Sequence, residues 1–383
     1  MRIKKQSAYN AIAYIAVICQ ALTWIGLPMK IGSMVSISVA LMALITVAAV
    51  AFFFLDRKGA IYKTNDLVFL GGLVLLVTFC SATSATINVE WLKKMIVAFQ
   101  LPVLILVAKR ANVGKIRDVI YTVNACYPIL FMYYYNSPFA HRFMGSYGER
   151  AIEEITLGFN NPNETAIYLM ICVFMLLAAV FHYKSIFKRL LFGVELLFML
   201  YLVYATACRA VILLVAAVLL TTLFFRRFAV TKGVIRAMFL VAVAVFLISF
   251  MFPNMGNIVI MGEVADTGRG AIINEYLEDL TVISFILGDF QEYPLNNMHN
   301  AFLSLLAAFG VLSACAYWGF YYRGFLSICG RKTESLEGRT LQLGCLAMVV
   351  HGAVEGALLT AGVIYAASAF LLLFMLESIE DHR

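Results

Sequence analysis

Apolar runs of about twenty residues recur along most of this chain, and short segments between them hold most of its charge. A helix rises about 1.5 Å per residue, so such a run matches the roughly 30 Å hydrocarbon core of a bilayer. No water satisfies the backbone there, and each span must close its own hydrogen bonds as an α-helix. The pattern places twelve spans at 8–28, 31–55, 67–87, 94–108, 119–135, 163–182, 190–206, 208–225, 237–252, 300–322, 340–354 and 357–376. With 63% hydrophobic residues, 13% charged residues and a mean hydropathy of +0.89, one water-facing surface cannot hide the apolar excess. The expected fold is all-α: a single integral membrane domain over 1–383, a polytopic helical bundle with two larger loops at 136–162 and 253–299. No small-x-small cleavage site follows Trp24-Ile-Gly-Leu-Pro28 and the apolar pattern resumes, so the first run reads as a retained span.

Basic residues favour the cytoplasmic side of short loops. With the N-terminus inside, all of the 29 Lys and Arg fall on the cytoplasmic side except Lys30, Lys93, Lys94, Arg142, Arg150, Arg209 and Arg269. That asymmetry argues for an even number of spans and two cytoplasmic termini. It also accounts for the net charge of +7 as a topology signal, without a nucleic-acid partner, which would call for a basic face on a soluble module. The eight cysteines lie within or at the ends of spans, with no CxxC and no His at ligand spacing, and read as small apolar fillers with no metal site.

The outward side then becomes the place to look for chemistry. The second large loop contains Thr267-Gly-Arg269, an amphipathic stretch from Ala271 to Phe285, Tyr293, and His299-Asn300 at the mouth of the next apolar run. Ile272, Ile273, Tyr276, Leu277, Leu280, Ile283 and Ile286 recur there at helical spacing, which predicts a short helix lying over the membrane face of the bundle. His299 has a side chain that titrates near neutrality and stands where a span meets water. Arg209 opens the eighth span, Arg269 sits in the large loop, and Arg142 and Arg150 flank Met144-Gly-Ser-Tyr-Gly148 in the other. The arginine fork is suited to a diphosphate; snorkelling to lipid phosphate is the plainer alternative. Asn160, Asn161 and Asn163 surround Pro162, where they fit either sugar hydroxyls or the cap of the following helix. His351 and Glu355 lie four apart on one helix face, and Tyr293 and the run Tyr133-Tyr134-Tyr135 suit either ring stacking or an interfacial aromatic belt.

His299-Asn300 followed after nine residues by Gly310, Arg209 at the start of a mid-chain span, Thr267-Gly-Arg269, and Gly158-Phe-Asn-Asn-Pro-Asn163 together resemble the O-antigen polymerase and O-antigen ligase superfamily of bacterial inner-membrane glycosyltransferases. The resemblance covers roughly 158–376. Ser313 departs from it, since the ligase motif usually carries Gly, Thr or Tyr there. The resemblance implies metal-independent and cofactor-free transfer of a glycan from an undecaprenyl-diphosphate-linked oligosaccharide to a sugar hydroxyl, at a periplasm-facing site. His299 would serve as base, Arg209 and Arg269 as diphosphate ligands, and the anomeric centre would invert. Arg142, Arg150, Asn160, Asn161, Asn163, Tyr293, Asn300, His351 and Glu355 are the supporting candidates. Membrane lipids and a chain-length regulator protein would be partners. Polymerase is favoured, ligase is the first alternative, and a flippase is the second. A flippase would be expected to show a charge near the bilayer midplane; Glu195 is the candidate, about one and a half turns from a span end.

Overall fold

Helices dominate the computed structural model, which describes residues 5–55, 64–108, 116–138, 142–147, 150–159, 162–225, 230–251, 259–260, 263–264, 269–293, 300–330, 333, 335–354 and 371. In chain order they are α1 (Lys5–Gly26), α2 (Gly32–Leu55), α3 (Thr64–Ser84), α4 (Val89–Ala108), α5 (Arg117–Tyr135), α6 (Pro162–His182), α7 (Ile186–Ala205), α8 (Arg209–Phe224) and α9 (Lys232–Met251). Then come α10 (Arg269–Glu278), α11 (Val282–Leu287), α12 (Ala301–Cys329) and α13 (Leu336–Val354). Two antiparallel hairpins interrupt the series: β1 (Arg142–Tyr147) with β2 (Arg150–Ile155), and β3 (Val259–Ile260) with β4 (Glu263–Val264).

Among the described residues, three helical stretches are long and apolar enough, by length and composition, to cross a membrane: Gly32–Ala51, Pro162–His182 and Ala301–Ser327. Several other helices carry charge in their first two turns, such as Glu90, Lys93 and Lys94 in α4 or Glu337 and Arg339 in α13. The α6 span is 83% buried, against 28% for α2, so α6 is an axis of the bundle and α2 lies at its rim. Outward-facing positions stay apolar: Leu75, Leu197, Leu213 and Leu240 are all more than two-thirds exposed. A water-soluble surface rarely carries so broad a belt, whereas lipid would cover it at no cost. All eight cysteines are free thiols, six of them buried.

At one end of the bundle a polar clamp joins three helices. His182 closes α6, with Nε2 2.9 Å from Asp118 Oδ1 and Nδ1 3.2 Å from the Glu337 carboxylate. The Tyr121 hydroxyl donates to Glu337 Oε1 at 2.7 Å, and Arg117 Nε lies 3.8 Å from the same oxygen. The start of α5, the end of α6 and the start of α13 are therefore fixed together. Nothing in the sequence spacing announces this, since the partners are 64 and 155 positions apart.

The predicted helix over 271–285 is instead two. Thr281 caps α11 through a reciprocal pair with Ser284, its Oγ1 accepting from Ser284 N at 3.1 Å and its own N–H donating to Ser284 Oγ at 2.9 Å. A cap of this kind starts a new helix and ends the periodicity that seemed continuous. The predicted span at 300–322 is likewise not one straight helix. Gly310, with φ 75° and ψ 171°, breaks α12 into two segments. The end of α11 fills the notch: Asp289 N donates to Ala307 O at 2.7 Å, and a Cβ on Gly310 would overlap the Ile286 carbonyl. Helix α4 begins earlier than the predicted 94, at Val89, and of the predicted final span only Leu371 lies within the described residues.

Gly310→Ala is expected to destabilise the protein by at least about 2 kcal/mol, because the left-handed backbone and the Ile286 contact both penalise a methyl group. Gly319→Ala, with nothing within 4 Å of its Cβ, should be neutral or slightly stabilising. Thermal unfolding in detergent distinguishes the two. His182→Ala removes a bridge between two carboxylates and should cost about 1–3 kcal/mol by the same measurement.

Candidate functional site

The clamp fixes the helix directions. It places the end of α6 beside the start of α13, so the start of α6 lies at the far end with the close of α13. Gln342 Nε2 donates to Cys329 O at 2.9 Å, which ties α13 near its start to the end of α12. Helix α7 returns from the short turn after α6, and α8 therefore starts at the far end as well. Thus α6 and α8 begin where α13 ends, and Asn163, Arg209 and His351 fall at one end of the bundle. Helix α12 instead turns back at Gly310, so that Phe302 near its start packs on Trp318 at 4.7 Å and Asn300 is not carried to that end.

Each element is held there for a local reason. Ahead of α8, Ala207 takes φ 52°, and Thr206 Oγ1 donates to Val203 O at 2.7 Å while accepting from Cys208 N at 3.4 Å. That turn presents Arg209 as the exposed first residue of α8, whose N-cap, Cys208, makes no side-chain capping bond. A cation at a helix N-terminus opposes the dipole by about 0.3–1 kcal/mol. An anion bound there would interact favourably with both the guanidinium and the backbone N–H groups.

Asn300 is the N-cap of α12. Its Oδ1 accepts from Phe302 N at 2.9 Å and Leu303 N at 3.0 Å, and Ser304 Oγ returns to its carbonyl at 2.9 Å. The oxygen that a substrate would use is engaged in holding the helix start, immediately after His299. Helix α6 opens at Pro162, as expected from proline's fixed φ, with Asn163 half-buried in its first turn. His351 is completely buried near the end of α13.

Other candidates are not gathered in this way. Arg142 pairs with Ile155 at the base of the β1–β2 hairpin and Arg150 with Tyr147 at its tip. Five residues of strand separate the two positions by about 17 Å. Arg269 is the first residue of α10. Tyr293 donates its hydroxyl to Asp279 Oδ2 at 2.8 Å and packs edge-on against Tyr276, with ring centroids 5.2 Å apart. Burial, together with the Asp279 bond and charge, pushes the Tyr293 phenol well above its usual range, and burial alone raises Tyr276 to about 12. Tyr293 thus braces the loop. Among Tyr133-Tyr134-Tyr135, Tyr134 is buried and donates to Trp24 O at 3.2 Å, while Tyr135 meets Tyr201 hydroxyl to hydroxyl at 2.7 Å. His299, Asn160, Asn161 and Glu355 lie outside the described residues.

Ser313, Gln100 and Glu195 each hold a buried polar atom with no partner among the described residues; sequence reasoning passed over Gln100, and met Ser313 only as a departure from the ligase motif and Glu195 only as the flippase candidate. The Ser313 hydroxyl, three residues past the α12 break, is fully buried and has no hydrogen-bond partner among the described residues. Gln100 is in the same condition on α4, where a lone amide within an apolar run was the available signal. Glu195 stands midway along α7, about 14 Å from either end rather than one and a half turns from one. One of its carboxylate oxygens is buried with no partner among the described residues. The misplacement arose because α7 starts at Ile186, ahead of the apolar run that suggested its limits.

Neither a family model nor a curated protein matches this chain.

Asn300→Ala should cost about 1 kcal/mol of stability through the lost cap, and Asn300→Asp or Asn300→Ser should restore most of it. Thermal scans of the three variants give the comparison; equal losses in all three would assign Asn300 a role other than capping.

Proposed function

We propose that the chain is an O-antigen polymerase, a twelve-span enzyme of the bacterial inner membrane with both termini cytoplasmic. It would transfer glycan from undecaprenyl diphosphate to a sugar hydroxyl of a second carrier-linked repeat unit on the periplasmic side. The observation that carries this reading is Arg209 standing exposed as the first residue of α8, at the end of the bundle where α6 begins and α13 ends, with the sequence motif His299-Asn300, leading into the Asn300-capped start of α12, in support.

In this reading His299 accepts the proton of the attacking hydroxyl, a role that typically contributes about 10²–10⁴-fold. Arg209 and Arg269 meet the charge that develops on the leaving diphosphate, and a preorganised donor of this kind is worth about 10²–10³-fold. Arg142, Arg150, Asn160, Asn161, Asn163, His351 and Glu355 are left as substrate-binding candidates. A chain-length regulator protein would act on the same product. A ligase delivering the glycan to lipid A-core uses the same donor and differs in acceptor.

His299→Ala is expected to abolish polymer without affecting membrane insertion. Arg209→Ala and Arg269→Ala should reduce it more than the Lys variants, which keep charge and lose the paired hydrogen bonds. Lipopolysaccharide ladders from a deletion strain complemented with each variant give the readout. Core plus a single unit marks a lost polymerase, bare core a lost ligase, and a normal ladder with His299→Ala removes the base assignment.

A flippase is the second reading, and mid-helix Glu195 is the observation in its favour. Glu195→Gln would then block export of repeat units, whereas in the polymerase reading the ladder would be retained.

A further inference from the structure

A long apolar groove of about 690 Å³ runs between α9 and α12. Arg236 and Tyr322 lie at one end, Leu247, Leu306 and Phe285 at the other, and Trp318 forms part of the wall. From Arg236 to Leu247 the helix advances about 16 Å, which is half the thickness of a bilayer core and therefore the depth of one leaflet.

The charged mouth is unlike the rest of that end of the bundle. Arg323 pairs with Asp66 at 3.3 Å, and Arg117 lies 3.8 Å from Glu337. Arg236 instead donates Nε to the Tyr322 hydroxyl at 3.2 Å, and among the described residues no carboxylate pairs with it. Lys232 stands one turn earlier on α9, its stem against Gly330 where α12 ends, and it too has no carboxylate partner among the described residues. Arg236 thus stands at the mouth of a cavity lined mostly by hydrocarbon, with Lys232 one turn before it on α9, and the sequence marks this end as cytoplasmic by its basic residues.

We propose that the groove binds an anionic phospholipid of the adjoining leaflet. One acyl chain lies along Phe239, Val243 and Trp318, and the phosphate accepts hydrogen bonds from the Arg236 guanidinium and the Lys232 ammonium. A zwitterionic headgroup would bring its own cation against these two, so the site discriminates in favour of net negative charge. This site is at the opposite end of the bundle from Arg209 and does not depend on the transfer reaction.

Trp318 offers the readout, because its ring forms part of the wall and packs against Phe302 and Phe239 at 4.7 and 5.1 Å. The protein is reconstituted in phosphatidylcholine vesicles with increasing fractions of brominated phosphatidylglycerol or brominated phosphatidylcholine. The Trp318 signal is taken as the difference between wild type and Trp318→Phe. Phosphatidylglycerol should quench with a preference of more than tenfold, each cation contributing roughly fivefold. The double variant Lys232→Gln/Arg236→Gln should remove that preference. Equal quenching by the two lipids in wild type, or a preference that survives in the double variant, overturns the proposal. If Trp318→Phe does not fold, native mass spectrometry of wild type and the double variant, extracted from mixed-lipid membranes, counts the retained phosphatidylglycerol. Equal retention overturns the proposal in that case.

Discussion

The arrangement rests on one backbone problem that a bilayer makes acute. A helix that breaks inside lipid frees carbonyl and amide groups, and each would cost several kcal/mol if left unmet. Helix α12 breaks at Gly310, and a second segment meets the exposed backbone: α11 brings Asp289 N to Ala307 O at 2.7 Å. The contact is so close that glycine is required on one side at Gly310 and, through the φ of 79° at Gly288, on the other. Once that seam is set, the loop that follows is placed by ordinary packing. Phe290 stacks on Phe309 with centroids 5.3 Å apart, and its N–H donates to Ser84 Oγ at 2.9 Å. Phe290 is therefore anchored between α3 and α12.

What the sequence made legible follows the same division. Helical class and the positions of most helices were readable because apolar runs have a length set by lipid. The spacing from His299 and Asn300 to Gly310 was readable as a motif, but its structural cause was not, since the partner of Gly310 is Ile286 on another segment. The split of 271–285 was missed because a Thr281–Ser284 cap leaves apolar periodicity intact while ending the helix. The β1–β2 hairpin was missed as well, in a loop whose strand pattern is shorter than the helices around it. The shared end of Arg209, Asn163 and His351 became visible only when His182, Asp118 and Glu337 fixed the direction of α6 relative to α13.

The two ends of the bundle use polarity in opposite ways. At one, Arg117, Asp118, Tyr121, His182 and Glu337 satisfy one another, and the result is a structural joint. At the other, α6 and α8 begin where α13 ends, and Arg209 stands exposed as the first residue of α8. Between them the small thiols and aromatic rings of α6 fill the interior, with Phe159 and Tyr168 stacked 4.8 Å apart and Trp24 edge-on to Tyr168 at 5.6 Å.

The clamp also has a bearing on how the protein is made. Glu337 enters the chain 155 residues after His182. At ribosomal rates of about 5–20 residues per second, α6 waits roughly eight to thirty seconds before Glu337 is synthesised. Throughout that interval the imidazole and the aspartate at its edge have each other and the rings of Tyr121 and Tyr183, without the second carboxylate. The most enclosed of the three long apolar helices among the described residues thus begins its life as one of the more exposed, until α13 arrives beside it.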